Sequence, residues 1–178
     1  MHSTHPTPEF PSTAVVHVAS EADLPPLAAR LVAVLPRPML VTLSGDLGAG
    51  KTTLVKAVAA ACGLDPVDVI SPTFGLIHDY ALPERPDLPA RFVHADLYRL
   101  SGSDELAETG WGDAIAGDTW TFLEWPERIA AALPSERIDL TIEIESTTAR
   151  RLRFTGHGPA AGAAVRMLEP RAGTAGVC

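Results

Sequence analysis

The feature that most constrains this chain is a glycine-rich segment, Gly45–Thr52, which reads GDLGAGKT and fits the pattern G-x-x-x-x-G-K-[ST]. The residues before it, Met39–Ser44, predict a buried strand. The residues after it, Thr53–Cys62, predict a helix that Gly63 ends. Because a phosphate-binding P-loop joins a strand to a helix in this order, the context supports the motif.

The residue types in this segment match the chemistry of binding a triphosphate. Glycines let backbone N–H groups turn toward an anion, and the helix that follows offers its positive N-terminus. Lys51 would reach the β- and γ-phosphates, and the Thr52 hydroxyl would ligate Mg²⁺. Lys51 and Lys56 are the only lysines among fourteen basic residues. We expect ATP and Mg²⁺ to be bound by a set that comprises Gly45, Asp46, Leu47, Gly48, Ala49, Gly50, Lys51, Thr52 and Thr53.

Two apolar runs end in an acid and are candidates for the carboxylates that such a site needs. They are Arg91–Asp96 and Thr121–Glu124. A metal that bridges phosphates favours a carboxylate at a nearby strand end, so both acids are predicted to lie in the site. One of Asp96 and Glu124 would lie near the metal and the other would position water. The sequence pattern does not decide between the two assignments.

Two further segments have a functional and an ordinary interpretation. The loop Ser71–Phe74 begins twenty residues after Lys51, where Thr73 could sense the γ-phosphate or belong to a plain Ser-Pro turn. In His94–Leu100, alternation places His94, Asp96 and Tyr98 on one face if the strand continues that far. The alternative there is a strand end with a mixed polar rim.

Length and composition predict one globular domain, and the strand–loop–helix context of the glycine-rich motif predicts the α/β class. The 178 residues are 46% hydrophobic, and no apolar run approaches the roughly 20 residues of a membrane span. With no signal-peptide pattern, we expect a cytoplasmic protein. A formal net charge of −8 argues against tight independent binding of nucleic acid, so any link to RNA would run through partner proteins.

The predicted fold is a P-loop NTPase-like three-layer sandwich, with a mainly parallel sheet, some antiparallel strands and a C-terminal hairpin. Phe74–Leu82 and Arg91–Leu97 would pair as antiparallel strands across a proline-rich turn, and 137–145 with 148–155 would form the hairpin. Residues 1–13 are predicted to be a disordered leader, 14–155 the domain, and 156–178 a flexible tail rich in Gly and Ala. The order of the strands cannot be predicted.

Five segments in this order, GDLGAGKTTL, SPTF, HADLYRL, DELAETG and EWPE, resemble the TsaE (YjeE) family of small bacterial P-loop ATPases. The similarity spans roughly residues 15–145. It implies an ATPase required for the threonylcarbamoyl modification of the adenosine beside the tRNA anticodon. It also implies binding to the TsaB–TsaD heterodimer, in which TsaD transfers the group, so that tRNA is reached only indirectly through the complex.

The resemblance also implies roles for individual residues. Lys51 and Thr52 would hold phosphates and Mg²⁺, and Thr73 would belong to a switch-like loop. Asp96 corresponds to the important acid of H-x-D-L-Y-R, and Glu124 to the metal-associated acid of E-W-P-E. Trp125 would lie at the nucleotide or partner surface. The catalytic set predicted for this chain is therefore Lys51, Asp96 and Glu124.

Two other functions fit a P-loop. A small-metabolite kinase would need an Arg-bearing lid, for which the strand-like segment Arg150–Arg153 is a poor candidate. A nucleotide-dependent switch of the GTPase type would need an N-K-x-D or T-K-x-D segment, and the sequence has neither. The absence of an N-K-x-D or T-K-x-D segment also favours adenine over guanine as the bound base.

Overall fold

The computed structural model describes residues 11–72, 76–100 and 103–169. The strands are β1 (Ser12–Val18), β2 (Met39–Ser44), β3 (Ile77–Ala81), β4 (Arg91–Asp96), β5 (Thr119–Glu124), β6 (Arg137–Ile144) and β7 (Arg150–His157). The α-helices are α1 (Leu24–Val34), α2 (Lys51–Ala61), α3 (Trp111–Ala114) and α4 (Pro159–Leu168). Short 3-10 segments cover Glu21–Asp23, Ser103–Thr109 and Pro126–Ala132.

The seven strands form one mixed sheet in the order β1-β7-β6-β2-β5-β4-β3. The pairs β2–β5, β2–β6 and β4–β5 are parallel, and the other three are antiparallel. The two predicted antiparallel strand pairs are confirmed as β3–β4 and β6–β7. The predicted predominance of parallel pairs holds only at the centre, because β3 and the β7–β1 pair add antiparallel strands at the two edges.

The central strands are apolar because both faces of the sheet are covered. Alternate residues of β2 and β5 point to opposite faces. On one face Val41 and Phe122 belong to a core that includes α1, α2 and α4. On the other face Leu40 and Leu123 belong to a second core with α3 and two 3-10 segments. All six residues of β5 are buried, as expected for a strand covered on both sides.

The helix α4 corrects the prediction of a flexible tail from residue 156. It packs against β1 and β7 and buries Ala161, Gly162, Ala164, Val165 and Leu168. The Glu136 carboxylate accepts a hydrogen bond from the Ala161 N–H (2.7 Å) at the start of the helix. The small residues that predicted a flexible tail here allow close packing of a helix against a sheet. Residues 170–178 lie outside the described residues.

The N-terminal boundary also differs from the prediction. The strand β1 begins at Ser12, inside the leader predicted for residues 1–13, because Ser12 and Thr13 extend its pairing with β7. Residues 1–10 are outside the described part of the chain. Among the helices that the structure describes, none has the length and apolarity to cross a membrane.

Candidate functional site

The segment between β2 and α2 has the backbone conformation that its glycines predict. Gly45, Gly48 and Gly50 have φ angles of 149°, 80° and 103°, in a region that other residues rarely adopt. A Cβ at Gly45 would lie 2.5 Å from the Ile142 carbonyl oxygen. The loop therefore bends closely around the N-terminus of α2, where the first N–H groups have no partner within the helix.

Lys51 is the first residue of α2 and is held over the loop. Its Nζ donates to the carbonyl oxygens of Gly45 (2.7 Å) and Asp46 (3.1 Å), and the residue is 5% exposed. The same Nζ lies 4.4 Å from the centroid of the Trp125 ring. Trp125 itself has a left-handed backbone (φ 61°) and contacts Tyr98, with ring centroids 5.0 Å apart.

The sheet register brings the two predicted acids together. Glu124 pairs with Leu43 of β2 and with Asp96 of β4, all at the carboxyl ends of parallel strands. Both acids are buried. Because β2 leads directly into the glycine-rich loop, this register places both carboxylates beside it.

Glu124 is linked directly to α2. Its Oε1 accepts a hydrogen bond from the Thr52 hydroxyl (2.7 Å) and lies 2.9 Å from His94 Nε2. The two residues predicted as metal ligands, Thr52 and Glu124, are thus in contact with each other. His94 was not predicted as part of the site, although its motif was singled out.

Asp96 has a different set of contacts. Its Oδ1 accepts from the Tyr98 N–H (3.0 Å), and its Oδ2 is 3.4 Å from the Ser71 hydroxyl. His94 and Asp96 alternate with Ala95 and share a face of β4, whereas Tyr98 lies beyond the end of the strand. The Ser71 contact places the start of the predicted switch-like loop beside an acid; Thr73 lies outside the described residues.

Two cavities adjoin the glycine-rich loop and share Gly48, Gly50 and Thr53. One, of about 340 Å³, contains both acids. The other, of about 360 Å³, lies against Ala49 and the β6–β7 turn. Of the predicted site residues, the first cavity is lined by Leu47, Gly48, Gly50, Lys51, Thr52, Thr53, Asp96, Glu124 and Trp125. Gly45 and Asp46 line neither cavity and contact Lys51 instead.

Arg150 is a second residue that sequence reasoning missed. Its Nε donates to the Ala49 carbonyl oxygen (2.9 Å) of the loop, and its Nη1 donates to Ser146 and Ala149. In the sequence Arg150 is part of a short basic cluster. Only the folded structure shows that the start of β7 lies beside the glycine-rich loop. The other two members form ion pairs: Arg151 with Glu143 and Glu145, and Arg153 with Glu143.

Comparison with known proteins gives consistent matches over most of the chain. The family model described as "Threonylcarbamoyl adenosine biosynthesis protein TsaE" matches residues 18–152. Two proteins named tRNA threonylcarbamoyladenosine biosynthesis protein TsaE are similar to it. The one from Rickettsia bellii is 33% identical over 76% of this chain and 90% of its own length. The one from Bacillus subtilis is 35% identical over 73% of this chain and 78% of its own length.

A solved structure is also similar. The crystal structure of Bacillus subtilis YdiB superimposes with a TM-score of 0.65 and 26% identity, over 89% of this chain and 95% of that one. The structural similarity therefore extends over most of the chain. On these matches, the chain belongs to the TsaE family.

Proposed function

We propose that this chain is an ATPase with a P-loop NTPase-like fold that works in the biosynthesis of threonylcarbamoyladenosine in tRNA. The observation that carries the proposal is the hydrogen bond from the Thr52 hydroxyl to Glu124 at the start of α2 (2.7 Å). It joins the loop to an acid at a strand end, within a cavity that also contains Asp96 and Lys51. Family membership supports the pathway.

The loop fits a triphosphate. Its left-handed glycines and the first N–H groups of α2, which have no partner within the helix, provide donors for an anion. Lys51 Nζ is bonded to two loop carbonyl oxygens, which phosphate oxygens would replace. A charged acceptor makes a stronger hydrogen bond than a neutral carbonyl, so this exchange favours the bound state.

The contact between Thr52 and Glu124 fits Mg²⁺. The hydroxyl hydrogen is donated to Glu124, which leaves the lone pairs of Thr52 Oγ1 for a metal. Thr52 and Glu124 would hold the ion, which when bound supplies neutralising charge for the phosphate oxygens. Carboxylate and hydroxyl oxygens are the ligand types that Mg²⁺ prefers.

The reaction would be in-line attack of water on the γ-phosphorus, in which the bond to the β–γ bridging oxygen breaks and ADP leaves as inorganic phosphate forms. Lys51 would stabilise the negative charge that develops on the phosphate oxygens. Asp96 and Glu124 are neighbours across β4 and β5, so either carboxylate can orient the attacking water. Asp96 has the weaker side-chain contact, at 3.4 Å from Ser71, and is our choice for this role.

The cavity of about 360 Å³ on the other side of Gly48 and Gly50 would receive the base and ribose. Its walls combine apolar residues such as Val18 and Leu152 with polar side chains that include Ser20 and Arg150. Apolar walls combined with polar groups are typical of small-molecule sites. This cavity supports a nucleotide as the ligand, because it adjoins the loop that would hold the phosphates.

The partner would be the TsaB–TsaD heterodimer, which would contact the rim of the cavity that contains the acids. Leu47 and Tyr98 line that rim and are 84% and 49% exposed. Exposed apolar groups beside a site are suited to a protein interface. The ion pairs of Arg151 and Arg153 with glutamates, and the net charge of −8, support contact with tRNA through the complex rather than directly.

The experiment measures phosphate release from ATP, and threonylcarbamoyladenosine in tRNA, with and without TsaB–TsaD. Lys51→Ala should abolish phosphate release, because it removes the charge that stabilises the transition state. Lys56→Ala is the matched control: it removes the only other lysine, five residues further along α2, and should retain activity. Equal activity of the two variants, or a phosphorylated metabolite as the product, contradicts the proposal.

A further inference from the structure

His94 occupies the middle of β4 and is fully buried. It pairs with His78 of β3 on one side and with Phe122 of β5 on the other, and it is 0% exposed. A buried imidazole needs partners for its polar atoms. Its Nε2 has one, Glu124 Oε1 at 2.9 Å. Its Nδ1 has no hydrogen-bond partner among the described residues.

This geometry defines the role of the ring. With Glu124 as a carboxylate, which only accepts hydrogen bonds, the 2.9 Å contact places a proton on His94 Nε2. In a neutral ring protonated on Nε2, the one N–H donor is satisfied by Glu124. Nδ1 carries only a lone pair and leaves no buried donor without a partner. His94 is therefore a donor fixed by the sheet and directed at Glu124.

Glu124 Oε1 receives two donors, and they come from different elements. The Thr52 hydroxyl approaches from α2 at 2.7 Å, and His94 Nε2 approaches from β4 at 2.9 Å. Glu124 Oε2 has no hydrogen bond to any residue that the structure describes. Two donors on one oxygen fix the orientation of the carboxylate and leave the other oxygen available.

We propose that His94 is a positioning residue for Glu124: it holds Oε1 so that Oε2 is presented to the metal. This inference rests on the proposed function, because Glu124 acts there on the phosphate side of the site. The Thr52 hydroxyl is shared with the metal in that scheme, whereas the His94 bond lies within the sheet. His94 therefore keeps the carboxylate oriented while the contacts of Thr52 change.

The direct test compares His94→Gln with His94→Met in the full chain with its partner heterodimer. The two replacements have nearly the same shape, but only Gln carries an N–H that can reach Glu124. Loss of a residue that orients a metal-site ligand typically lowers activity by about 10- to 100-fold. We expect His94→Met to lose kcat in this range and His94→Gln to stay within about threefold of the unaltered chain, with the KM for ATP nearly unchanged in both.

Comparing the two variants separates the orientation of Glu124 from the packing of the His94 ring. Both variants lose the ring and should melt at similar temperatures, so a difference in kcat reports the N–H donor. Equal kcat values for Gln and Met, or a loss confined to KM, overturn the proposal. A melting temperature for His94→Met well below that of His94→Gln, with kcat equal once both are folded, overturns it as well.

A second measurement needs no nucleotide. Long-range ¹H–¹⁵N NMR correlations of the nucleotide-free protein should show His94 protonated on Nε2, and Glu124→Ala should shift that nitrogen. A ring protonated on Nδ1 instead overturns the inference. The NMR result tests the His94–Glu124 bond alone. Absence of ATP hydrolysis by the unaltered chain would instead contradict the proposed ATPase function, so the two proposals can fail separately.

Discussion

Replacing Gly156 by alanine tests how closely α4 packs on the sheet. Gly156 lies on β7, and a Cβ there would be 2.5 Å from the Ala161 carbonyl oxygen and 2.7 Å from the Gly162 nitrogen. Both atoms are backbone and cannot rotate away. To restore ordinary contact at 3.4 Å, the helix must move by about 0.9 Å relative to β7.

The size of the effect follows from comparing two responses of the helix. Inserting a methyl group into packed structure costs about 1–3 kcal/mol. Undocking α4 would expose Val165 and Leu168, both 0% exposed, at about 1.5–3 kcal/mol each. Since undocking costs more, we expect α4 to shift and remain attached, with the free energy of unfolding lowered by about 1–3 kcal/mol.

Urea and thermal unfolding measure this directly. For a domain of this length, the expected loss corresponds to a melting temperature lower by roughly 2–12 °C, with an unchanged urea m-value. Gly112→Ala is the matched control: its Cβ would meet nothing within 4 Å, and alanine suits a helix better than glycine, so its stability should be equal or slightly higher. If Gly156→Ala is as stable as this control, the close packing of α4 is refuted.

Two further predictions concern ionisable groups away from the loop. Burial raises the pKa of the Cys62 thiol to about 12, so in a Cys178→Ser background Cys62 should resist thiol reagents at pH 8 until urea unfolds the chain; rapid labelling of the folded protein would contradict this. Burial opposes ionisation of Asp139, but hydrogen bonds from Arg137 and Thr42 outweigh it and hold the pKa of that carboxyl below 3.8. Its stabilisation should be fully present at pH 7 and lost as the pH falls below 3.8, so unfolding curves of Asp139→Asn and the unaltered chain should converge at low pH.

The parts of the fold that depend on local sequence were predicted well. The strand β2 has the predicted bounds, and α2 begins at Lys51, two residues before the predicted start. Apolar runs ending in Asp96 and Glu124 correctly identified two strand ends. Periodicity and turn chemistry contain this information because each element depends mainly on its own residues.

What the sequence could not predict depends on register and on contacts between distant segments. The His94–Glu124 bond requires the alignment of β4 with β5, and the Arg150–Ala49 bond joins residues 101 positions apart. The docking of α4 was missed because its small residues stabilise it through contact with β7, which a composition pattern does not reveal. Long-range pairings of this kind are set by the packed fold and not by local preference.

The pairing of the first and last strands has a consequence for how the fold is completed. Within the described part of the chain β1 pairs with β7 alone, and Ser12 is aligned with Gly156. A ribosome therefore makes β1 long before the strand that it pairs with, and closing so long a loop slows folding. Since Arg150 at the start of β7 also bonds the loop at Ala49, a nascent chain that stops before β7 contains the whole Gly45–Thr52 motif but lacks a contact that fixes it.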